Sequence, residues 1–135
     1  MMHWSEKYIG IPFRAMGRGM DGVDCAGLCI LILRQERGIT VWDVSESYTV
    51  GEMHRRDGLA RLDGLLRRQL SVWQPVSLAG LRPFDVLLYR VHGAETHCAM
   101  AVDRCHVLHV EERHPVHMAR LHLPGYQLSG VFRHA

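Results

Sequence analysis

The residues of this chain whose types and spacing suit covalent chemistry are one cysteine and two distant histidines. Cys25 follows Asp24 and comes just before an apolar, helix-compatible run that begins at Leu28. A thiol at the start of a helix lies near unpaired backbone N–H groups and the positive end of the helix dipole, which favour the thiolate. A reactive cysteine also needs a base, and His97 and His109 lie in a later region with strand-like patterning. This order predicts nucleophilic cysteine chemistry assisted by histidine.

Helices in the first half and strands in the second are expected to position these residues. The first long helix is predicted over 25–37, because Gly38 is a suitable C-terminal stop. A second is predicted over 53–70, where leucines recur at three- and four-residue steps and the arginines, Arg67 among them, are interpreted as a solvated face. Alternating patterns predict strands over 86–91, 98–102, 106–110, 116–121 and 128–132.

Helices followed by an antiparallel sheet form an α+β pattern, which predicts one domain over residues 1–135. A short helix is expected over 3–9 and a loop over 11–24. Asp85 is expected either to pair with Arg82 or Arg90 or to cap a turn.

Composition excludes several classes of function. The chain has 135 residues with a formal net charge of +2, which is too small to indicate nucleic acid as a partner. No apolar run is long enough to span a membrane, so membrane insertion is not expected. The first residues lack the basic and apolar regions of a signal peptide. We therefore expect any export from a cytoplasm to depend on another carrier.

The four cysteines raise the question of a metal site. Cys25 and Cys29 share one helix face, and Cys98 and Cys105 each adjoin a histidine. Zinc could be held by such residues, but the spacings match none of the usual zinc motifs. Reduced cysteines that fill the core are the favoured interpretation. Neither a metal nor a cofactor is expected.

Three ordered motifs resemble the NlpC/P60 family of papain-like cysteine peptidases. The first contains Gly22-Val23-Asp24-Cys25-Ala26-Gly27-Leu28, and the second is Arg82-Pro83-Phe84-Asp85-Val86-Leu87-Leu88-Tyr89. The third joins His97-Cys98-Ala99-Met100-Ala101-Val102 to Val107-Leu108-His109-Val110. Tyr8-Ile9-Gly10-Ile11-Pro12-Phe13 and Gly17-Arg18-Gly19 are similar to short members of the family encoded in phage tail modules.

The resemblance implies a papain-like fold, a set of roles and a setting. Cys25 would be the nucleophile, His97 the general base, and His109 the residue that orients the His97 ring. Backbone N–H groups at the helix start would bind the oxyanion. The implied substrates are peptide bonds in the stem peptides of bacterial peptidoglycan. The implied partners are other phage tail proteins, with synthesis in the bacterial cytoplasm and then delivery on the virion tail to the host cell envelope.

Phe13, Asp24 and Ala26 are the residues expected to contact substrate. Phe13 stands where many family members have a tyrosine whose hydroxyl helps the oxyanion site, and Ala26 replaces a frequent serine. Asp24 also suits a helix-capping role, which the residue pattern favours over a part in catalysis. Phe84 replaces a glycine of the second motif, and Cys98 lies where valine is typical.

Other interpretations of the same residues stay open. Cys25 could be a buried structural thiol, His97 a polar residue that opens a strand, and His109 a satisfied core histidine. The chain could then be a structural or assembly component of a phage tail tip with little or no activity. A third alternative is an acyltransferase or amidase, because a thioester intermediate can pass its acyl group to acceptors other than water.

Overall fold

The computed structural model describes residues 3–41 and 65–134. Helix α1 spans Cys25–Arg37 and helix α2 spans Leu65–Leu70; single turns of 3-10 helix lie at Trp4–Lys7 and Leu78–Gly80. The strands are β1 (Arg18–Gly19), β2 (Gly22–Val23), β3 (Gln74–Pro75), β4 (Val86–Val91), β5 (Ala94–Ala101), β6 (His106–Glu111), β7 (His114–Arg120) and β8 (Gln127–Arg133). No helix within these ranges is long and apolar enough to cross a membrane.

Helix α1 has the bounds that its flanking residues predict. The Asp24 side chain accepts a hydrogen bond from the Gly27 N–H at the N-terminus. At the C-terminus, Gly38 adopts the left-handed conformation at φ 65°, and its N–H bonds the carbonyl oxygen of Arg34. The prediction of a helix over 25–37 is therefore confirmed.

An antiparallel sheet of six strands forms the other layer, in the order β3-β8-β4-β5-β6-β7. The predicted α+β architecture is confirmed, and each predicted strand is present, β4 with the predicted bounds and β5 to β8 with different ones. Strand β5 begins four residues before the predicted start at 98. The cause is the tight turn at His92 and Gly93, whose φ angles are 51° and 82°. Two consecutive positive φ angles allow a two-residue hairpin turn, so pairing begins at once between Val91 and Ala94.

Alternation along the strands divides the core into two clusters. On β4, Val86 and Leu88 pack in the cluster that contains Leu28 and Ile32 of α1. Leu87 and Tyr89 point to the opposite face of the sheet and pack in the second cluster. Both faces of the central strands are therefore buried, which holds the sheet rigidly beneath the start of α1.

The remaining expectations are met only in part. The short helix expected over 3–9 is a 3-10 turn at Trp4–Lys7. The loop expected over 11–24 contains the small hairpin of β1 and β2. Of the second helix predicted over 53–70, Leu65–Leu70 is helical, and 53–64 lie outside the described residues. Arg67 is not merely solvated, because its guanidinium binds the carboxylate of Glu95, which is buried.

Candidate active site

Cys25 is the first residue of α1, and a buried carboxylate fixes the loop that leads to it. Asp24 is 2% exposed. Its oxygens accept from the Gly27 N–H at 2.7 Å, the Met16 N–H at 3.0 Å and the Arg18 guanidinium at 2.7 Å. These three contacts join the first turn of α1 to the preceding loop, so the position of Cys25 depends on Asp24.

Gly27 explains why the motif around Cys25 needs a glycine two residues after the cysteine. A Cβ at this position would lie 2.0 Å from the carbonyl oxygen of Gly17 and 2.8 Å from the Arg18 guanidinium. Real Cβ atoms do not approach a backbone oxygen so closely, so only glycine lets the loop pack against the helix here. The loop therefore lies in close contact with the first turn of α1, which carries Cys25.

The two predicted histidines form a direct pair. His97 Nε2 lies 3.3 Å from His109 Nδ1, and the rings are nearly perpendicular, at 86°. Both side chains are buried. Since the Nε2 atom of His97 contacts His109, its Nδ1 atom is the nitrogen left for Cys25. The structure therefore brings together the base and the orienting residue proposed from the sequence.

A divergence of two strands makes room for this pair. Strands β5 and β6 pair at Met100 with Leu108 and at Ala101 with Val107. Within the described residues, the pairing of β5 with β6 does not extend to His97 and His109. The opening leads into a cavity of about 230 Å³ that Cys25 and His97 both line, together with Phe13, Asp24, Ala26, Leu65, Leu66, Val91, Thr96, Val110, Glu111, Glu112 and Tyr126.

The neighbours of the Cys25 thiol have opposing effects on its pKa. It points toward the carbonyl oxygen of Thr96 at 3.7 Å. The Cys98 thiol and burial raise the pKa of Cys25 well above its ordinary value, while His97 acts to lower the pKa. Cys98 also contacts Cys29, with the sulfur atoms 3.9 Å apart. This arrangement favours the neutral thiol of Cys25, so a nucleophilic role would require a base to take its proton.

Tyr126 is a site residue that the sequence analysis missed. Its ring stacks on the His97 ring with centroids 4.7 Å apart and planes inclined by 5°. Burial, and secondarily Glu111, raises the pKa of Tyr126 to about 12, so its hydroxyl stays protonated. Tyr126 follows a turn at Gly125, where φ is 83°. An aromatic residue after a Pro-Gly turn is too common in sequences to have indicated this contact.

The three residues expected to contact substrate all line the cavity. Phe13 is half-buried and forms an isolated bridge with Val23. Ala26 is buried beside Cys25 in the first turn of α1. The carboxylate of Asp24 is occupied by its capping contacts. Substrate contact by these residues stays a prediction.

An α+β fold with a cysteine at a helix start beside a histidine pair on an antiparallel sheet defines the papain-like class. The family model described as "NlpC/P60 family" matches residues 10–131. The chain therefore belongs to the NlpC/P60 family. The comparison with curated proteins finds no match.

Solved structures share the fold at low sequence identity. An NlpC/P60 family protein from Bacillus cereus ATCC 10987 is 22% identical with a TM-score of 0.70, and the alignment covers 96% of this chain and 37% of that one. The NlpC/p60 domain of the peptidoglycan hydrolase SagA is 19% identical with a TM-score of 0.67, and the alignment covers 96% of this chain and 92% of that one.

A third similar structure belongs to a protein without catalysis. RipD from Mycobacterium tuberculosis is described as a non-catalytic NlpC/p60 domain protein adapted to peptidoglycan binding. It is 18% identical with a TM-score of 0.60, covering 96% of this chain and 90% of that one. Fold likeness therefore does not decide activity, which depends on the side chains of the individual site.

Proposed function

We propose that this chain is a cysteine peptidase that hydrolyses peptide bonds in the stem peptides of bacterial peptidoglycan. The observation that carries the proposal is the contact of 3.3 Å between His97 Nε2 and His109 Nδ1, because His97 lines the same cavity as Cys25. The description of SagA as a peptidoglycan hydrolase supports the substrate class.

In the proposed reaction, His97 Nδ1 takes the Cys25 proton as the sulfur attacks the scissile carbonyl carbon. The C–S bond forms, and the carbonyl oxygen becomes an oxyanion. When the C–N bond breaks, His97 returns the proton to the leaving amine. Water, deprotonated by His97, then attacks the thioester carbon. The C–S bond breaks, His97 returns the proton to the Cys25 sulfur, and the acid is released. Throughout these steps the contact with His109 holds the His97 ring in one orientation.

The first turn of α1 offers donors for the oxyanion. The first N–H groups of a helix have no partner within it. Asp24 accepts the N–H of Gly27, and the two residues before Gly27 in this turn, Cys25 and Ala26, both line the cavity. Phe13 lacks the hydroxyl that a tyrosine would add, so the oxyanion would depend on backbone donors.

Mass spectrometry of purified muropeptides tests the proposal. We expect the wild type to release new fragments across about pH 5–8, where histidine titrates. A Cys25→Ala variant should release none, and Cys105→Ala, which removes an exposed thiol, should behave like the wild type. Equal cleavage by wild type and Cys25→Ala would refute the proposal.

We further propose that the protein acts as a component of a phage tail. The motifs at Tyr8–Phe13 and Gly17–Gly19, similar to phage tail proteins, support this setting. The protein should be detected by mass spectrometry in purified particles, and its absence from them would contradict the proposal.

A structural role is the second candidate function. Two observations favour it: Phe13 cannot donate a hydrogen bond, and the pKa of Cys25 is raised by Cys98 and burial. A scaffold predicts particles that assemble with Cys25→Ala but not when the protein is missing. Normal assembly without the protein would refute a scaffold role.

A further inference from the structure

A second group of chemically active side chains, which shares His109 with the histidine pair, lies on strands β6 and β7. His109, Glu111 and His117 each offer a ligand atom, and these atoms lie within 4.8 Å of one another. His109 and His117 are direct cross-strand partners, with ring centroids 4.4 Å apart. Glu111 lies two residues after His109, so both side chains leave the same face of β6.

The hydrogen bonding of His117 independently points to a ligand. Its Nδ1 atom lies 2.8 Å from the carbonyl oxygen of Pro115. A carbonyl oxygen can only accept, so Nδ1 carries the proton and Nε2 carries the lone pair. Metal-binding histidines usually have this arrangement, in which the second ring nitrogen donates to a carbonyl or carboxylate. His117 is thus already in the tautomer that binds a metal through Nε2.

We propose that His109, Glu111 and His117 form a binding site for a zinc ion. Two imidazoles and one carboxylate are an established zinc ligand set, which leaves a fourth position for water. Zinc bonds of about 2.0–2.2 Å in a tetrahedron place ligand atoms about 3.4 Å apart. The three ligand atoms lie within 4.8 Å of one another, so side-chain rotation must bring them closer to complete the site. Glu111 is 38% exposed in its side chain, so it can rotate and an ion can enter.

Occupancy of this site is incompatible with the catalytic hydrogen bond. For His97 Nδ1 to accept the Cys25 proton, the proton of the neutral His97 ring must lie on Nε2, donated to His109 Nδ1. His109 then carries its own proton on Nε2. Zinc on His109 Nε2 moves that proton to Nδ1, where it donates to His97 and places the His97 proton on the nitrogen that faces Cys25.

Binding through the other nitrogen has the same consequence. Zinc on His109 Nδ1 would occupy the lone pair that receives the His97 N–H, and the contact of 3.3 Å would be lost. In both cases zinc removes the support of His109 for the base. The site therefore makes the enzyme reversibly inhibited by zinc, and this consequence, unlike binding itself, rests on the proposed function.

Binding is measured by calorimetric titration with zinc and by the absorption spectrum with cobalt. The proteins are the wild type, His117→Ala, Glu111→Gln and a control, His122→Ala, which removes an exposed histidine outside the cluster. We expect one equivalent of zinc to bind the wild type and the His122→Ala control with the same affinity. The affinity for zinc should fall by at least about tenfold in His117→Ala and Glu111→Gln. The cobalt spectrum should lack a thiolate charge-transfer band.

Three outcomes would overturn the site: no saturable binding, equal affinity in all four proteins, or a thiolate band that places the metal at the cysteines. None of these measurements needs a substrate. Failure of muropeptide cleavage therefore cannot be mistaken for failure of the metal site.

Coupling to the active site is measured by alkylation of Cys25 with iodoacetamide, followed by mass spectrometry. Each protein is compared with its own metal-free rate. Zinc should slow the reaction in the wild type and in His122→Ala, and should have little effect in His117→Ala at the same zinc concentration. An unchanged rate in wild type saturated with zinc would overturn the coupling.

Discussion

Asp24 is the residue on which we expect the position of the nucleophile to depend most strongly, and Asp24→Ala tests this. The substitution removes a helix cap, which contributes about 1 kcal/mol. It also removes the carboxylate of the ion pair between Asp24 and Arg18, whose side chains are only 3% and 17% exposed. Removing one partner of a buried ion pair typically costs about 3–5 kcal/mol. Because the cap and the ion pair share one carboxylate, we expect about 3–5 kcal/mol in total rather than their sum.

Urea unfolding followed by circular dichroism measures this change in the free energy of unfolding. An unfolding entropy of about 2.1 cal/mol/K per residue makes the expected loss about 10–18 °C in Tm for this chain length. The free energy of unfolding of Asp24→Asn should be intermediate, since the amide oxygen keeps the helix cap but the charge is lost.

The chain contains a matched control in the same loop. Arg14 and Asp21 form an ion pair of the same length, 2.7 Å, but their side chains are 65% and 72% exposed. Asp21→Ala should therefore cost less than about 1 kcal/mol. Similar losses of unfolding free energy in Asp21→Ala and Asp24→Ala would refute the reasoning from burial. A loss of unfolding free energy below about 1 kcal/mol in Asp24→Ala would also refute it.

Three further predictions concern neighbours of Cys25 and His97. Cys98→Val removes the thiol that raises the pKa of Cys25, so alkylation of Cys25 should become faster at a given pH below its pKa; an unchanged pH profile would contradict this. Tyr126→Ala removes a stacked ring worth about 0.5–1.5 kcal/mol and should lower kcat by about two- to tenfold. Tyr126→Phe keeps the ring and should have little effect, so equal losses would argue against stacking on His97. Burial lowers the pKa of His109 from 6.5 to about 3. Between these two pH values, the unfolded chain therefore binds one proton more than the folded chain does. Stability should be fully retained above the unfolded pKa and fall by up to about 1.4 kcal/mol per pH unit below it. His109→Gln should flatten this fall in urea unfolding at several pH values, and an identical slope would contradict the assignment.

The sequence alone determined the elements whose signals are local. Helix α1 could be bounded because Asp24 and Gly38 act on backbone groups only a few residues away. The strands could be located from their alternation, which reflects burial of alternate side chains. His109 could be assigned to the face opposite Leu108 for the same reason. Turn geometry was harder, since the positive φ angle of a non-glycine residue, His92, has no clear sequence signal.

Only the tertiary structure decided which distant side chains meet. The sequence offered Asp85 a pairing with Arg82 or Arg90, or the capping of a turn. In the structure, the Asp85 carboxylate binds the Arg133 guanidinium at 2.7 Å and accepts the backbone N–H of Arg82, three residues earlier in the turn. Such pairs depend on strand order and register, which arise from the packing of the whole chain. The stacking of Tyr126 on His97 has the same origin. Residue types and their order therefore specify the possible chemistry, while distances and protonation depend on contacts that form only when the sheet is assembled.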